Sequence, residues 1–281
     1  MKKLDQEIKT FAQKLINMEI NTQSEIKFND ILQTFEETFQ KLFEDKKSTI
    51  NNLKKVELAR TEFLGNVSHE LRTPIFAIQG FIETLLNGAI DDKNVNKIYL
   101  EKAFKHTENL NNLLNDLIDI SMIESGKMRM SFRYFNLYEF LSTIHSEHVN
   151  TATNKNLTLI LECKNSGLMV YGDLNRLKQV MNNLIQNAIK YTDEGEIKIS
   201  ASDFGNKVEI SVKDTGTGIP KEDLTRIFER FYRVDKDRSR LAGGTGLGLA
   251  IVKHIIEAHN EKIQVESNLG EGTKFSFFLR K

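Results

Sequence analysis

The residues best suited to do chemistry near the N-terminal half lie in Phe63-Leu-Gly-Asn-Val-Ser-His-Glu-Leu-Arg-Thr-Pro74. Leu64, Val67, Leu71, Ile75, Ile78, Ile82 and Leu85 recur with helical spacing and mark one apolar stripe. His69 is two residues from both Val67 and Leu71. At roughly 100° per residue it therefore points away from the stripe, toward solvent. An imidazole becomes a nucleophile when a proton is taken from it, and the adjacent Glu70 can accept that proton or orient the tautomer. Arg72 and Thr73, at i+3 and i+4, share the face of His69, and the Thr73 hydroxyl could orient a water. Pro74 has no N–H to give the carbonyl of Glu70, so the helix is predicted to weaken or kink just past the histidine. Taken alone, His-Glu also describes a surface histidine beside a kink.

A second set lies further along. Asn183, Asn187 and Lys190 fall at i, i+4 and i+7 of Asn182-Asn-Leu-Ile-Gln-Asn-Ala-Ile-Lys-Tyr-Thr192, on one helix face. Amide oxygens suit Mg²⁺ and a lysine suits phosphate. Asp214-Thr-Gly-Thr-Gly-Ile-Pro220 follows a strand-like run. There Asp214 could accept a hydrogen bond from an adenine amino group, with Gly216 and Gly218 allowing close backbone approach to the base. In Ile227-Phe-Glu-Arg-Phe-Tyr-Arg233, Phe228 and Phe231 read as core aromatics, and Arg230 and Arg233 as candidate phosphate contacts. Gly243-Gly-Thr-Gly-Leu-Gly-Leu-Ala-Ile-Val252 places Gly244, Gly246 and Gly248 before or at the start of a helix, where free N–H groups can face phosphates. The surroundings do not complete the dinucleotide-binding fingerprint. Gly270-Glu-Gly-Thr273 precedes the last strand.

In this order, the phosphoacceptor-like box His-Glu-Leu-Arg-Thr-Pro and these segments resemble the sensor histidine kinases of bacterial two-component systems over about 55–281, with 55–130 most similar to the phosphate-sensing type. The resemblance implies a GHKL-type ATP-binding sandwich and Mg²⁺-ATP as phosphoryl donor. It makes His69 the phosphoacceptor and Asn187 the main Mg²⁺ ligand. Asn183, Lys190, Tyr191 and Thr273 come beside the nucleotide, and the segment around Arg230 and Arg233 anchors a mobile lid. It implies autophosphorylation, transfer to an aspartate of a response regulator receiver domain, and, through Thr73, phosphatase action on that regulator. A GHKL chaperone or topoisomerase would share Asn187, Asp214 and the glycines without the His69 box. A non-catalytic scaffold would not need the intact metal site.

The elements that must position these groups give an α+β fold. Residues 1–50 read as a coiled coil or signalling linker, 51–126 as a dimerisation and phosphotransfer hairpin, and 127–281 as the catalytic ATP-binding domain. Leu4, Ile8, Phe11, Leu15 and Met18 keep coiled-coil spacing, the polar Asn21–Glu25 breaks it, and Phe28, Leu32, Phe35, Phe39 and Leu42 resume it. A long helix is predicted from about Asn51 to Leu86, ended by Asn87 and Gly88, and another from about Asn96 to Ile123. Two helices alone bury little, so a homodimeric four-helix bundle is predicted. Beyond 127 come strands at about 128–135, 157–161, 168–171, 196–201, 207–213, 262–266 and 273–279. Helices are predicted at about 137–151, 174–191 and 246–258.

Composition narrows the partners. Lys+Arg and Asp+Glu are both 39 in 281 residues, so no net field favours nucleic acid or an anionic membrane. One cysteine, Cys163, forbids an internal disulfide and suits a reducing cytosol. No apolar run reaches the ~20 residues of a membrane span, so the chain reads as soluble and cytoplasmic. The family places the full-length protein at the inner membrane through a segment outside this sequence. His145 and His148 read as solvated surface, and His106, His254 and His259 have no evident partners.

Overall fold

A computed structural model describes residues 22–234 and 245–281, with side chains described from residue 37 onward. The Leu4–Met18 seam, together with Gly243 and Gly244, lies outside the described residues. Two compact units divide the chain, Met1–Gly65 and Asn66–Lys281.

Helix α1 spans Thr22–Thr84 without interruption, so residues 22–25 of the expected break are helical and no new start falls at Asn51, while Asn21 lies outside the described residues. The stretch 22–64 contains no glycine or proline. The remaining residue types differ in helix propensity by only about 0.7 kcal/mol, too little to break a long helix. The helix also passes through Pro74. The irregularity comes at its end, where a π turn, Leu85–Ala89, contains Gly88 at φ 111°. Helix α2, Asn96–Glu124, then returns. Leu85, Ala103, Leu113 and Ile120 are buried, whereas Ile75, Ile82, Leu100, Phe104 and Leu114 remain exposed. No helix among the described residues is long and apolar enough to cross a membrane.

The remaining elements are β1 (Arg133–Asn136), α3 (Leu137–Thr153), β2 (Leu157–Cys163), β3 (Met169–Gly172), α4 (Leu174–Tyr191), β4 (Gly195–Asp203), β5 (Lys207–Asp214), α5 (Gly248–Ala258), β6 (Gln264–Asn268) and β7 (Gly272–Arg280). The strands form one sheet in the order β1-β3-β7-β5-β4-β2, with β6 also paired to β7. Only β2 and β4 run parallel. The core lies where Ile197, Ile199, Val208, Ile210 and Phe277 of the sheet are buried along with Leu141 and Ile144 of α3, Leu177 and Leu184 of α4, and Ile251 and Ile255 of α5. Strand β1 is shorter than expected because 128–132 make no ladder.

Helix α4 carries the bounds its sequence predicts. The Asp173 carboxylate accepts from the backbone N–H of Asn175 at 3.0 Å and of Arg176 at 3.1 Å, satisfying donors that the first turn leaves free. The same carboxylate accepts from Ser131 N–H at 2.6 Å. His259 holds the backbone of this cap: its Nε2 accepts from Asp173 N–H at 3.0 Å and its Nδ1 donates to Ile255 O at 2.7 Å. His259 thus has partners that its neighbours in sequence do not disclose. His148, expected at the surface, is buried and bonded to Asn182 Oδ1 at 3.0 Å. His145 bonds Leu159 O at 3.0 Å. Neither joins a metal cluster among the described residues. Cys163 is a free thiol whose pKa is raised by burial, as a structural cysteine's should be.

Burial lowers the His259 pKa below its ordinary value, more than the Ile255 carbonyl and Asp173 raise it. Below pH ~6.5 the unfolded chain binds a proton that the folded chain resists. The stabilisation from neutral His259 is therefore complete above that pH and is lost as pH falls toward the lower folded pKa. Denaturant unfolding at pH 5.5 and 7.5 should show a smaller acid-induced loss of stability for His259→Gln than for the natural chain. Equal losses would contradict this role.

Candidate functional site

The amphipathic register of α4 explains how its polar groups come together. Leu177, Val180, Met181, Leu184, Ile185 and Ala188 are buried on one side. Asn183, Asn187 and Lys190 take the other, where with Tyr191 they line a cavity of about 720 Å³. The Asn183 amide donates to Gly248 O at 3.5 Å, and Lys190 Nζ lies 5.1 Å from the centre of the Tyr191 ring. Asn187 makes no side-chain hydrogen bond to another described residue, so its amide oxygen is open to a cation. An amide on a polar cavity wall fits Mg²⁺, which takes oxygen ligands and retains waters.

Asp214, at the end of β5, lines the same cavity and is only 6% exposed. Its Oδ1 accepts from Gly216 N–H at 2.9 Å and Thr273 N–H at 3.2 Å. Burial raises its pKa, and these two donors counter the rise. Thr273, Gly218, Gly246 and Gly248 also face the cavity. The glycine pair after Asp214 also sits close to protein backbone. A Cβ on Gly216 would sit 2.4 Å from Tyr191 O, and one on Gly218 would sit 2.0 Å from Asn268 O. Both residues let protein backbone approach protein backbone, and Gly216 does not line the cavity. Gly218 in addition has φ +68°.

The histidine side meets this cavity through Arg233. His69 is exposed, its side chain 57% accessible, on the face its spacing predicts. Glu70 Oε2 accepts from Arg233 Nη2 at 2.7 Å, and the Arg233 side chain is 9% exposed. Glu70 Oε1 is 4.0 Å from His69 Nδ1, beyond hydrogen-bond reach. Arg233 itself lines the cavity. Arg230 does not: it pairs with Glu124 at the end of α2. The Thr73 hydroxyl donates to His69 O at 3.3 Å, back along its own helix. Phe228 packs edge-on against Phe275, and Phe231, at φ 60°, donates its N–H to Gly246 O at 2.9 Å.

Two acidic groups of α2, one in the wall and one beside it, are not singled out by sequence. Asp116 lines the cavity and accepts from Thr245 Oγ1 at 3.0 Å. Asp119 accepts from Arg176 at 2.8 Å and from Gln179 at 2.6 Å. Their i, i+3 spacing marks a polar helix face, but nothing local says that the face meets residues about 60 and 130 positions away.

Comparison with known proteins gives two matches along the chain. Residues 59–126 match the His Kinase A (phospho-acceptor) domain. Residues 172–281 match the histidine kinase-, DNA gyrase B- and HSP90-like ATPase family. The sensor histidine kinase WalK of Bacillus subtilis (strain 168) is 37% identical over 233 residues, 82% of this chain and 38% of the relative. A sensor protein kinase WalK of Staphylococcus epidermidis is likewise 37% identical over the same shares. The chain thus spans about two fifths of the length of these curated relatives. Among solved structures, histidine kinase ThkA in complex with response regulator protein TrrA aligns with TM-score 0.63 at 34% identity, over 78% of this chain and 61% of that one. Histidine kinase AdeS of Acinetobacter baumannii aligns with TM-score 0.62 at 28% identity, over 75% of this chain and 97% of that one.

Asp116 supplies a pH test of the wall. Burial is the main cause raising its carboxyl to about 6, with the Thr245 hydroxyl opposing and Asp119 adding to the rise. A folded pKa above the unfolded ~3.9 means that the group's contribution is complete at low pH and is lost as pH rises through about 6. Asp116→Asn keeps an acceptor for Thr245 without the charge. It should be more stable than the natural chain at pH 7.5 in denaturant unfolding, with the difference shrinking at pH 5. A less stable variant at pH 7.5 would contradict the buried-charge assignment.

Proposed function

The chain belongs to the bacterial sensor histidine kinases, and on that basis we propose that it moves the γ-phosphoryl group of ATP to His69 and then to an aspartate of a response regulator receiver domain. The observation that carries this reading is the Arg233–Glu70 ion pair, which joins the cavity wall to the carboxylate beside an exposed histidine. In the proposed division, 1–50 is a coiled-coil or signalling linker, 51–126 the phosphotransfer hairpin and 127–281 the ATP-binding domain. The hairpin's exposed Ile75, Ile82, Leu100, Phe104 and Leu114 support a homodimer built by pairing two hairpins. A mass of one chain by light scattering would remove that part. The reading sets the protein in the cytoplasm, joined to the membrane by a segment of the longer protein.

The chemistry follows from the groups present. Glu70 is on the Nδ1 side of His69, so it can hold or take the Nδ1 proton while Nε2 attacks phosphorus. The N–P bond forms as the bond from phosphorus to the ADP oxygen breaks, in line. Asp214 would accept from the adenine amino group, with Thr273, Tyr191 and Asn183 beside the nucleotide. Lys190 and Arg233, and by family resemblance the backbone of Gly244, Gly246 and Gly248, would meet the phosphates. Asn187 would hold Mg²⁺, which when bound offsets charge on the phosphate oxygens. Arg233 gives Nη2 to Glu70, so it would turn both prongs of its guanidinium to a phosphate only after that pair opens. Arg230 joins only if its pair with Glu124 is exchanged.

Incubation with γ-labelled ATP tests the reading. Acid-labile, base-stable label is expected in the natural chain and should vanish in His69→Ala, with affinity for an ATP analogue nearly unchanged. Asn187→Ala should lose Mg²⁺-dependent binding and labelling while staying folded. Persistent acid-labile label in His69→Ala would overturn the acceptor, and normal labelling in Asn187→Ala would overturn the metal ligand.

Thr73 supports a regulator phosphatase activity. Its hydroxyl is one turn from His69 on the same face and must exchange its bond to His69 O for a water. Thr73→Ala should slow decay of the phosphorylated regulator and spare labelling of His69. Equal decay would remove this activity from Thr73.

A further inference from the structure

The C-terminal end of α4 carries three of the cavity's polar groups, Asn187, Lys190 and Tyr191, and it is held from outside the cavity. Lys155 lies in the turn between α3 and β2, a turn fixed by Lys155 N–H to Ala152 O and Asn156 N–H to Thr153 O, each 2.9 Å. Its Nζ donates to Ile189 O at 2.8 Å, Lys190 O at 3.2 Å and Thr192 O at 2.7 Å. These are carbonyls that the end of a helix leaves without intrahelical donors. The two neighbouring carbonyls are met by backbone: Ala188 O by Thr192 N–H at 3.1 Å and Tyr191 O by Thr217 N–H at 3.1 Å. Lys190, the only basic residue in the helix's own last turn, is turned to the cavity and the Tyr191 ring and does not cap.

We propose that Lys155 is a positioning residue for the nucleotide site, a cap supplied from a separate element that sets the last turn of α4 and with it Lys190, Tyr191 and Asn187. This rests on nucleotide binding in the cavity. An ammonium group has three donors, and here all three meet carbonyls at the negative end of the helix dipole. Its carboxylate neighbour, Asp193, is 3.7 Å away and well exposed, and a pair of that kind adds little. The register matters because the clearance on the other side is small: Gly216 packs against the Tyr191 carbonyl so closely that a Cβ would clash. A frayed last turn would move Tyr191 O off Thr217 and turn Lys190 away from the phosphates.

The test uses the full chain with Lys155→Met and Lys155→Arg. Amide hydrogen exchange reads the cap without nucleotide. Lys155→Met should speed exchange of the Thr192 and Thr217 N–H groups and leave Asn175 and Arg176, at the other end of α4, unchanged. A fluorescent, non-hydrolysable ATP analogue with Mg²⁺ should bind about tenfold more weakly to Lys155→Met. KM for ATP in His69 labelling should rise similarly, and kcat should stay within about twofold. Lys155→Arg, which can still donate to several carbonyls, should recover most of the affinity. Unchanged exchange at Thr192 and Thr217 would overturn the cap. Faster exchange with natural affinity for the analogue would overturn the positioning role. A fall in kcat at constant KM would overturn it as well. A natural chain that binds no analogue would overturn the nucleotide reading on which the proposal rests, while the exchange result still decides the cap.

Discussion

The Glu70 carboxylate stands between two partners: Arg233 holds its Oε2 at 2.7 Å, and His69 Nδ1 is 4.0 Å from its Oε1. The pair with a largely buried guanidinium fixes one oxygen of this carboxylate on the cavity side, away from the imidazole. In this arrangement His69 is displayed, and its carboxylate neighbour Glu70 is beyond hydrogen-bond reach. On the proposed reading this is a resting arrangement, and transfer would have Arg233 exchange one anion for another. A phosphate, though tetrahedral, can offer the guanidinium fork two oxygens as a carboxylate does, so the exchange needs no new kind of contact.

Everything else serves to bring those partners to one place. Helix α4 buries an unbroken apolar face, and each such Leu or Ile contributes about 1.5–3 kcal/mol when removed from water. That burial fixes the rotation of the helix, and rotation alone decides that Asn183, Asn187 and Lys190 face the cavity. The ends of the helix are held by other elements, the first by Asp173 with His259 behind it, the last by Lys155. On the far side of the cavity, α2 contributes Asp116 and Asp119, whose bonds to Thr245, Arg176 and Gln179 hold the hairpin against the sheet domain. The cost of burying the charged form of Asp116 means that this hold is weaker at neutral pH than in acid.

What could be read in advance divides along physical lines. Periodicity is local, so the exposure of His69, the bounds of α4 and the clustering of Asn183, Asn187 and Lys190 were all legible. Strand positions were legible to within a few residues for the same reason, except at β1, where ladder partners rather than composition decide the start. Helix continuity was not, because polar residues such as 22–25 weaken a seam without leaving the helix. The two arginines of Ile227–Arg233 are three residues apart and alike in chemistry, yet one reaches Glu70 and the other Glu124. Gly216 was legible as a close-approach glycine, but its neighbour is Tyr191 O. Asp116, His259 and Lys155 went unread because each is defined by a partner 34 or more residues away.

The role of Glu70 is open to direct measurement. Single-turnover labelling of His69 at saturating ATP, comparing Glu70→Gln with the natural chain, separates proton transfer from nucleotide binding. The amide keeps the size of the side chain and can still hydrogen-bond, but it cannot take a proton at neutral pH. The expected result is a rate lower by about 10²-fold with affinity for ATP nearly unchanged. A natural single-turnover rate in Glu70→Gln would contradict the assignment of this carboxylate as the base that Arg233 restrains.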